Sequence, residues 1–220
     1  MTIMKIAIIG GNGKAGSKIY EEAIKRGHEA TAIVRNAEKA QAVLGTDAAL
    51  LVKDGFALTK DDLTQFDVIV DAFGVPMGSP LAYLHMDLAA KLVHDLRDTK
   101  TRLVVIVGAA SLNMPDGNPL ISQLLQAPGH EDWIGVPLNQ SHELAILQMV
   151  DNVDWVAVSP QRNFTPGPAT GYIMGSNDVM FDADGKSELT TGNMALAVLD
   201  ELESPEHHQE RFTIRNADQD

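Results

Sequence analysis

The chain has 220 residues, of which 45% are hydrophobic and 21% charged, so it can bury the core of one globular domain. Its formal net charge of −13 comes without any basic run, which argues against binding the phosphate backbone of a nucleic acid. The absence of cysteine excludes disulfides, cysteine-ligated metals and a thiol nucleophile.

The first half of the chain alternates short apolar runs with amphipathic stretches. Apolar runs that stop at glycine or at polar residues are typical of buried parallel strands. Apolar residues at helical spacing indicate helices, and the alternation predicts βαβ units around a parallel sheet. The predicted strands are Met4–Ile9, Glu29–Val34, Ala48–Val52, Asp67–Asp71 and Leu103–Val107, and the predicted helices are Gly13–Arg26, Ala37–Val43 and Leu81–Leu96.

The second half is less regular. Proline and glycine interrupt residues 108–137, where we predict a long loop with a short helix at Leu120–Leu125, and Asn163–Gly175, where we predict no regular element. The other predictions are a helix at Leu138–Val150, a strand at Trp155–Ser159, a hairpin of Val179–Phe181 and Ser187–Leu189 around the turn Asp182–Gly185, a helix capped by Thr191 and running to Leu202, and a strand at Arg211–Arg215.

Neither a membrane segment nor a signal peptide is predicted. No stretch approaches the roughly 18 consecutive apolar residues that a membrane helix needs. The N-terminal segment reaches its glycines too early for a signal peptide. We therefore expect a cytoplasmic protein with no membrane partner.

A glycine-rich turn, IAIIGGNGKAG, follows the first predicted strand and opens the first helix. It contains the spacing Gly11-x-Gly13-x-x-Gly16, and Gly10 extends the pattern. Glycines in such a turn allow a sharp bend, a close approach of the backbone to a pyrophosphate, and tight packing of helix on strand. The anion would then lie at a helix N-terminus. Because strand and helix flank it as the fingerprint requires, the turn predicts a bound dinucleotide.

Together these patterns predict an α/β fold of Rossmann type, a doubly wound parallel sheet with helices on both faces. We expect a single NAD(P)-binding domain over residues 1–220. Ligands of open α/β sheets bind at the carboxyl ends of the strands. The substrate pocket is therefore expected in loops 108–137 and 160–176.

The residue after the second strand favours NADPH. An acidic residue there would bind the ribose 2′-hydroxyl of NADH, whereas an arginine accommodates the 2′-phosphate of NADPH. The position is Arg35, and Lys14 is a second nearby cation. NADPH is therefore the predicted cofactor, with NADH as the alternative.

The chain resembles the atypical short-chain dehydrogenase/reductase superfamily over nearly its whole length. More narrowly, it is similar to bacterial NAD(P)H-binding proteins known as NADH–flavin reductases, which are relatives of biliverdin reductase B and of NmrA-like proteins. The segments that carry the resemblance are MKIAIIGGNGKAG (4–16), AIVRN (32–36), DVIVDAFG (67–74), VVIVGAASL (104–112), DWVAVSPQRNFTPGPATG (154–171) and ALAVLDELESPEHHQERFTI (195–214).

The resemblance implies where the cofactor would lie. It places the adenosine half near the ends of the second to fourth strands and the nicotinamide between the loops after the fifth and sixth. Ser111 matches the position of an active-site serine or threonine, so it is the candidate catalytic residue. The candidate cofactor contacts are Gly10, Asn12, Gly13, Lys14, Ala15, Gly16, Arg35, Asp54, Gly55, Phe56, Ala72, Phe73, Gly74, Gly108, Pro160 and Gln161.

The Tyr-x-x-x-Lys acid of ordinary short-chain dehydrogenases is missing. Tyr20, Tyr83 and Tyr172 are followed four positions later by Ile, Asp and Ser. This favours hydride acceptors that need no strong protein acid, such as FMN or FAD acting as substrates rather than prosthetic groups, or quinones. The alternative is a non-catalytic NADP(H) sensor of NmrA-like type.

No metal site is predicted. His142-Glu143 lacks the second histidine of a zinc helix, and Asp182–Gly185 lacks the spacing of a calcium loop. The expected partner is a small planar acceptor. The expected assembly is a monomer or a homodimer.

Overall fold

Strands and helices alternate along residues 2–218, the part of the chain that this computed structural model describes. The strands are β1 (Lys5–Ile9), β2 (Glu29–Val34), β3 (Leu50–Val52), β4 (Val68–Asp71), β5 (Arg102–Ile106), β6 (Trp155–Ser159), β7 (Asn163–Thr165), β8 (Tyr172–Gly175), β9 (Glu188–Thr190) and β10 (Glu210–Asn216). The helices are α1 (Lys14–Lys25), α2 (Ala37–Leu44), α3 (Lys60–Thr64), α4 (Leu84–Leu96), α5 (Leu120–Leu124), α6 (Gly135–Leu147) and α7 (Thr191–Glu203).

Eight of these strands form one sheet in the order β3-β2-β1-β4-β5-β6-β10-β8. Neighbouring strands are parallel except β8, which runs antiparallel to β10. β2 and β3 are added in turn on one side of β1, and β4, β5 and β6 are added in turn on its other side. This reversal is the topological switch point at which open α/β sheets bind ligands.

Helices cover both faces of the sheet, as the strand pattern requires. On one face Ile8 and its alternate neighbours pack against Ile19 of α1 and Val198 of α7. On the other face Ile69 packs with Leu92 of α4 and Leu144 of α6. Strands buried on both faces need near-continuous apolar sequence, which these runs supply. The structure confirms the Rossmann-type α/β fold in a single domain. No helix among residues 2–218 is long and apolar enough to cross a membrane.

Two helices begin at other positions than the sequence pattern predicts, and one helix was missed. α6 starts at Gly135, a turn before the predicted Leu138, because Pro137 is tolerated in a first turn whose N–H groups have no helical partner. α4 starts at Leu84 instead of Leu81, after four residues in turn conformation, 80–83. The unpredicted α3 begins with a capping box in which Thr59 and Asp62 bond each other's backbone, a signal that the sequence carries.

The pairing of the short strands also differs from the prediction. The segment Asn163–Gly175 is not irregular, since it contains β7 and β8. The turn at Asp182–Gly185 is present, with the Gly185 N–H donating to the Asp182 carbonyl at 3.0 Å. The predicted hairpin around it is wrong, because β9 pairs in parallel with β7. The helix cap is Thr190 and not Thr191, since the Thr190 Oγ1 accepts from the Asn193 N–H.

Candidate functional site

The glycine turn lies at the switch point, in contact with the loop that follows β4. Gly10 has a φ of +72°, and a Cβ there would lie 2.7 Å from the Ala72 carbonyl oxygen. A Cβ on Gly11 would lie 2.6 Å from the Ala32 Cβ. The turn closes through the Gly13 N–H, which donates to the Gly10 carbonyl at 2.8 Å. Side chains would therefore fill space that the turn needs.

The start of α1 is free to take an anion. Gly13 occupies the cap position without a side-chain acceptor, and the first turn of α1 holds no acidic residue. The first N–H groups of a helix lack partners within it, and the helix dipole favours an anion there. Asn12, Lys14 and Ala15 line this end, with Lys14 exposed. Gly16 packs so closely on the Gly10 carbonyl that no Cβ fits. A dinucleotide pyrophosphate fits this cradle.

The ends of β2 and β3 lie beside the turn. Arg35 is exposed directly after β2, and it forms no ion pair within residues 2–218. Asp54 caps a short 3₁₀ turn after β3, its Oδ1 accepting from the Phe56 N–H at 2.9 Å. Gly55 packs near the end of β1, since a Cβ there would lie 3.3 Å from Ile9 Cγ2. Residues from three strands thus meet at one edge.

An aromatic contact joins the ends of β3 and β4. The rings of Phe56 and Phe73 pack edge to face with centroids 6.1 Å apart, and Phe73 packs in turn on His85 at 5.3 Å. Ala72 and Gly74 flank Phe73, and Gly74 is exposed with open space around it. The structure therefore brings the adenosine-side candidates together, although they are up to 39 positions apart in the chain.

The loops after β5 and β6 form the other half of this edge. Gly108 follows β5 closely, and a Cβ there would collide with the Gln140 side chain of α6. Ser111 is half-buried in the same loop. The Ser159 hydroxyl at the end of β6 donates to the Gly108 carbonyl at 3.1 Å, which ties the two loops together. Pro160 follows and is buried.

Gln161 supports the second loop with its side chain. It is only 1% exposed, and its Nε2 donates to Thr213 Oγ1 at 2.8 Å. Its Oε1 accepts from the Met180 N–H at 2.8 Å and from the Ser187 hydroxyl at 3.0 Å. Both ends of the amide are therefore engaged. The side chain fixes the loop, and a contact with a cofactor would have to come from the Gln161 backbone.

Asn113, in the predicted pocket loop 108–137, bonds the segment that follows the second predicted pocket loop, 160–176. Its N–H donates to the Asn177 carbonyl at 2.8 Å, and its carbonyl accepts from the Val179 N–H at 2.8 Å. A cleft of about 690 Å³ lies elsewhere, between α1, α7 and residues 166–169. Of the candidate site residues, only Lys14 lines that cleft. Residues 166–169, part of the predicted pocket loop 160–176, thus line a cleft with two helices.

The sequence analysis missed Arg211, which contacts the candidate catalytic serine. Arg211 is the second residue of β10, and it is 8% exposed. Its Nη1 donates to Ser111 Oγ and to Ser159 Oγ, both at 3.1 Å. Nε and Nη2 both donate to Asn177 Oδ1, at 2.9 and 2.8 Å. The alternation of β10 could have indicated it, since Phe212 packs into the core and Arg211 must point the other way.

A second unpredicted feature is a buried polar cluster of Asp71, His85 and Glu143. All three are at most 3% exposed. Asp71 Oδ1 accepts from the Phe73 N–H at 2.9 Å, whereas Asp71 Oδ2, His85 Nε2 and Glu143 Oε2 have no hydrogen-bond partner among the described residues. His85 Nδ1 lies 3.8 Å from Glu143 Oε2. No set of three or more acidic or histidine side chains in residues 2–218 is arranged to hold a metal ion.

Burial shifts the pKa of each group in this cluster in the direction that favours its uncharged form. Loss of water around Asp71 raises the pKa of its carboxyl to about 6, against the opposing bond from the Phe73 N–H. Burial, together with the nearby Asp71 charge, raises the pKa of Glu143 well above its ordinary value. Burial lowers the pKa of His85 to about 4. At neutral pH the His85 imidazole is therefore neutral and burial favours a protonated Glu143, whereas Asp71 keeps its proton only below about pH 6.

Comparisons with known proteins match nearly the whole chain. A family model described as NAD(P)H-binding matches residues 10–205. The uncharacterized protein YwnB of Bacillus subtilis (strain 168) is 44% identical over 215 residues, covering 96% of this chain and 98% of YwnB. A Lactobacillus casei crystal structure matches with TM-score 0.92 and 46% identity, over 98% of this chain and 100% of that one. A Streptococcus pneumoniae TIGR4 structure, described as a candidate NADH-flavin reductase, matches with TM-score 0.85 and 35% identity, over 97% and 100%.

Proposed function

This chain belongs to the NAD(P)H-binding family, and we propose that it is an NADPH-dependent reductase that passes hydride to a flavin or a similar planar acceptor such as a quinone. The observation that carries the proposal is the pairing of two features at one edge of the sheet. A glycine cradle fits a pyrophosphate, and the loops after β5 and β6 hold a serine hydroxyl next to a buried arginine. The flavin would be a substrate and not a prosthetic group.

The chain's own part in the reaction would be positioning. The glycine turn and the start of α1 would hold the pyrophosphate, while Arg35 and Lys14 would pair with the 2′-phosphate. Gly108 and the backbone at Pro160–Gln161 would border the nicotinamide. A bound reduced nicotinamide would supply the hydride. Holding donor and acceptor in contact accounts for most of the rate gain that such a site can give.

Two of the three tyrosines, Tyr20 and Tyr172, already have hydrogen-bond partners within the protein, which supports an acceptor that needs no strong protein acid. The Tyr20 hydroxyl accepts from the Ala49 N–H at 2.9 Å, and the Tyr172 hydroxyl donates to Asp200 Oδ2 at 2.7 Å. Burial and the Asp200 carboxylate raise the pKa of Tyr172, which makes it a poorer acid. Reduced flavins and quinones can take their proton from solvent. The Streptococcus relative's description points to the same class of reaction.

Turnover with defined acceptors tests the proposal. The protein at catalytic concentration is mixed with NADPH and FMN, FAD or 1,4-naphthoquinone, and the nicotinamide absorbance is followed. We expect many turnovers per protein molecule with at least one acceptor. Tight NADPH binding without turnover would instead support the NmrA-like sensor, which needs the same cofactor cradle but no acceptor site.

The Arg35→Ala variant tests the choice of cofactor. A hydrogen-bonded charge pair contributes ~1.5–3 kcal/mol, so we expect NADPH to bind roughly 10- to 100-fold more weakly, with little change for NADH. Isothermal titration with both nucleotides measures this. Lys100→Ala is the control, because Lys100 is an exposed cation just before β5, at the opposite edge of the sheet. Equal losses for NADPH and NADH would contradict the pairing of Arg35 with the 2′-phosphate.

A further inference from the structure

Arg211 is a buried cation whose direct partners are all neutral. Its guanidinium bonds two serine hydroxyls and the side-chain carbonyl of Asn177. Among residues 2–218 no carboxylate oxygen lies within 4.0 Å of it. Burial lowers its pKa to about 10, and only the more distant charge of Asp178 acts in the other direction. A charge in this position is costly unless something compensates it.

The other buried or half-buried arginines of the sheet and helices are compensated. Arg102, 7% exposed, donates from Nη2 to Glu201 Oε1 at 2.7 Å. Arg26 pairs with Asp200 at 2.7 Å and with Glu203 at 2.9 Å. Arg211, in contrast, has no carboxylate partner, and it lies next to the candidate catalytic residue Ser111. Uncompensated buried charge at such a place indicates a functional group, since stability alone does not favour it.

The two serines bound to Arg211 differ in whether their hydroxyl groups donate a hydrogen bond within the protein. The Ser159 hydroxyl donates to the Gly108 carbonyl, so its donor is used. The Ser111 hydroxyl accepts from Arg211 and donates to no acceptor within residues 2–218. Ser111 is half-buried, whereas Ser159 is fully buried. Ser111 is therefore a free hydrogen-bond donor backed by a positive charge.

We propose that Ser111 and Arg211 act together to bind a conjugated carbonyl oxygen of the hydride acceptor, with Ser111 donating to that oxygen and Arg211 stabilising the negative charge that develops on it. This inference rests on the proposed reductase function and specifies its acceptor. Ser111 would be the catalytic residue and Arg211 the residue that positions and polarises it. Donors aimed at developing charge in a site with little water are among the largest contributions to catalysis.

The reaction balances without any further reactant. A hydride carries two electrons and one hydrogen from the reduced nicotinamide to the acceptor. A quinone then becomes the hydroquinone monoanion, with one oxygen as O–H and the other as O⁻. The O⁻ is the atom held by the Ser111 hydroxyl, and it takes a proton from solvent on release. In a flavin the corresponding charge is shared by N1 and the neighbouring carbonyl oxygen.

Binding of a stable oxyanion tests the site without any turnover. We use 2-hydroxy-1,4-naphthoquinone, which is ionised at neutral pH, and uncharged 1,4-naphthoquinone as its matched probe, both in the presence of NADP⁺. Arg211→Gln and Ser111→Ala are each expected to weaken the anionic probe about tenfold or more and to leave the uncharged probe within about twofold. Arg215→Gln is the control, since Arg215 lies on the same face of β10 and pairs with Asp218 at 2.8 Å.

Turnover kinetics separate a joint role from a structural one. With 1,4-naphthoquinone and FMN as acceptors, each single variant is expected to lower kcat roughly 10- to 100-fold with KM for NADPH little changed. The double variant should be no worse than the poorer single variant, because both act on one oxygen. A loss confined to one acceptor identifies the carbonyl that occupies the site.

The outcomes distinguish the two proposals. If the wild-type protein turns over neither acceptor but binds the anionic probe through Arg211, the reductase function fails and the oxyanion site stands. Equal binding of the anionic probe by the wild-type, Arg211→Gln and Ser111→Ala proteins overturns the site. Additive losses of kcat in the double variant overturn it as well. Should Arg211→Gln fail to fold by circular dichroism, Ser111→Ala carries the same test, because it removes a single half-buried hydroxyl.

Discussion

The Gly16→Val variant is expected to bind NADPH roughly 5- to 150-fold more weakly, because overpacking strain of ~1–3 kcal/mol falls on the atoms that shape the cradle. A Cβ on Gly16 would clash with the Gly10 carbonyl oxygen and would lie 3.0 Å from the Gly11 Cα. The same carbonyl accepts the Gly13 N–H that closes the turn. Pushing it aside therefore opens the turn and moves the N–H groups at the start of α1.

Isothermal titration with NADPH measures the loss, and circular dichroism confirms folding. The matched control is Gly27→Asn, at the other end of α1, where φ is +85° and a side chain meets open space. Asparagine tolerates that conformation, so NADPH binding should not change. Gly16→Ala is the milder variant in case valine prevents folding. A folded Gly16→Val protein with wild-type affinity would show that the pyrophosphate does not use this turn.

The features predicted correctly from the sequence depend on residues close together in the chain. The glycine turn, the strand before it and the helix after it lie within residues 4–26, and their spacing specifies their geometry. Buried strands such as Val68–Asp71 show the continuous apolar runs that a parallel sheet covered on both faces requires. The Rossmann-type fold follows from these local signals alone.

The features missed depend on contacts between distant segments. Arg211 meets Ser111 across 100 positions, and the pairing of β6 with both β5 and β10 brings them together. β9 overlaps a strand that was predicted to pair with Val179–Phe181 in a hairpin, and β7 was not predicted, because alternation indicates a strand but not its partner. The role of Gln161 in holding its loop was also missed, because the side chains and backbone that its amide bonds lie 19 to 52 positions away.

The buried cluster at the end of β4 also escaped the sequence analysis. Asp71 is the last residue of an apolar strand, where a carboxyl is costly unless it is paired or protonated. His85 and Glu143 come from α4 and α6, which only the folded chain packs together. Since the three side chains leave polar atoms without partners, their protonation is linked to folding.

The direction of that linkage follows from the individual groups. Asp71 has a pKa of about 6 in the folded protein against 3.8 ordinarily, so the folded state holds its proton more tightly. Its contribution to stability is complete below its ordinary pKa and is lost as the pH rises through about 6. Glu143 acts in the same direction. His85, with a pKa lowered to about 4, acts oppositely, and its contribution is lost as the pH falls through its ordinary pKa of 6.5 towards 4.

The Asp71→Asn variant is therefore expected to be more stable than the wild-type protein at pH 8, by roughly 2–3 kcal/mol in the free energy of unfolding, and to lose that advantage by pH 4. Glu143→Gln should act the same way from α6. Urea titrations across this pH range measure both. Asp67→Asn is the control, because Asp67 precedes the same strand but is exposed. Parallel stability curves for Asp71→Asn and wild type would mean that folding does not raise the pKa of Asp71. Higher stability of Asp71→Asn at pH 8 would instead show that the carboxyl of Asp71 destabilises the folded protein. A functional requirement at the neighbouring candidate cofactor site would explain why such a residue is kept.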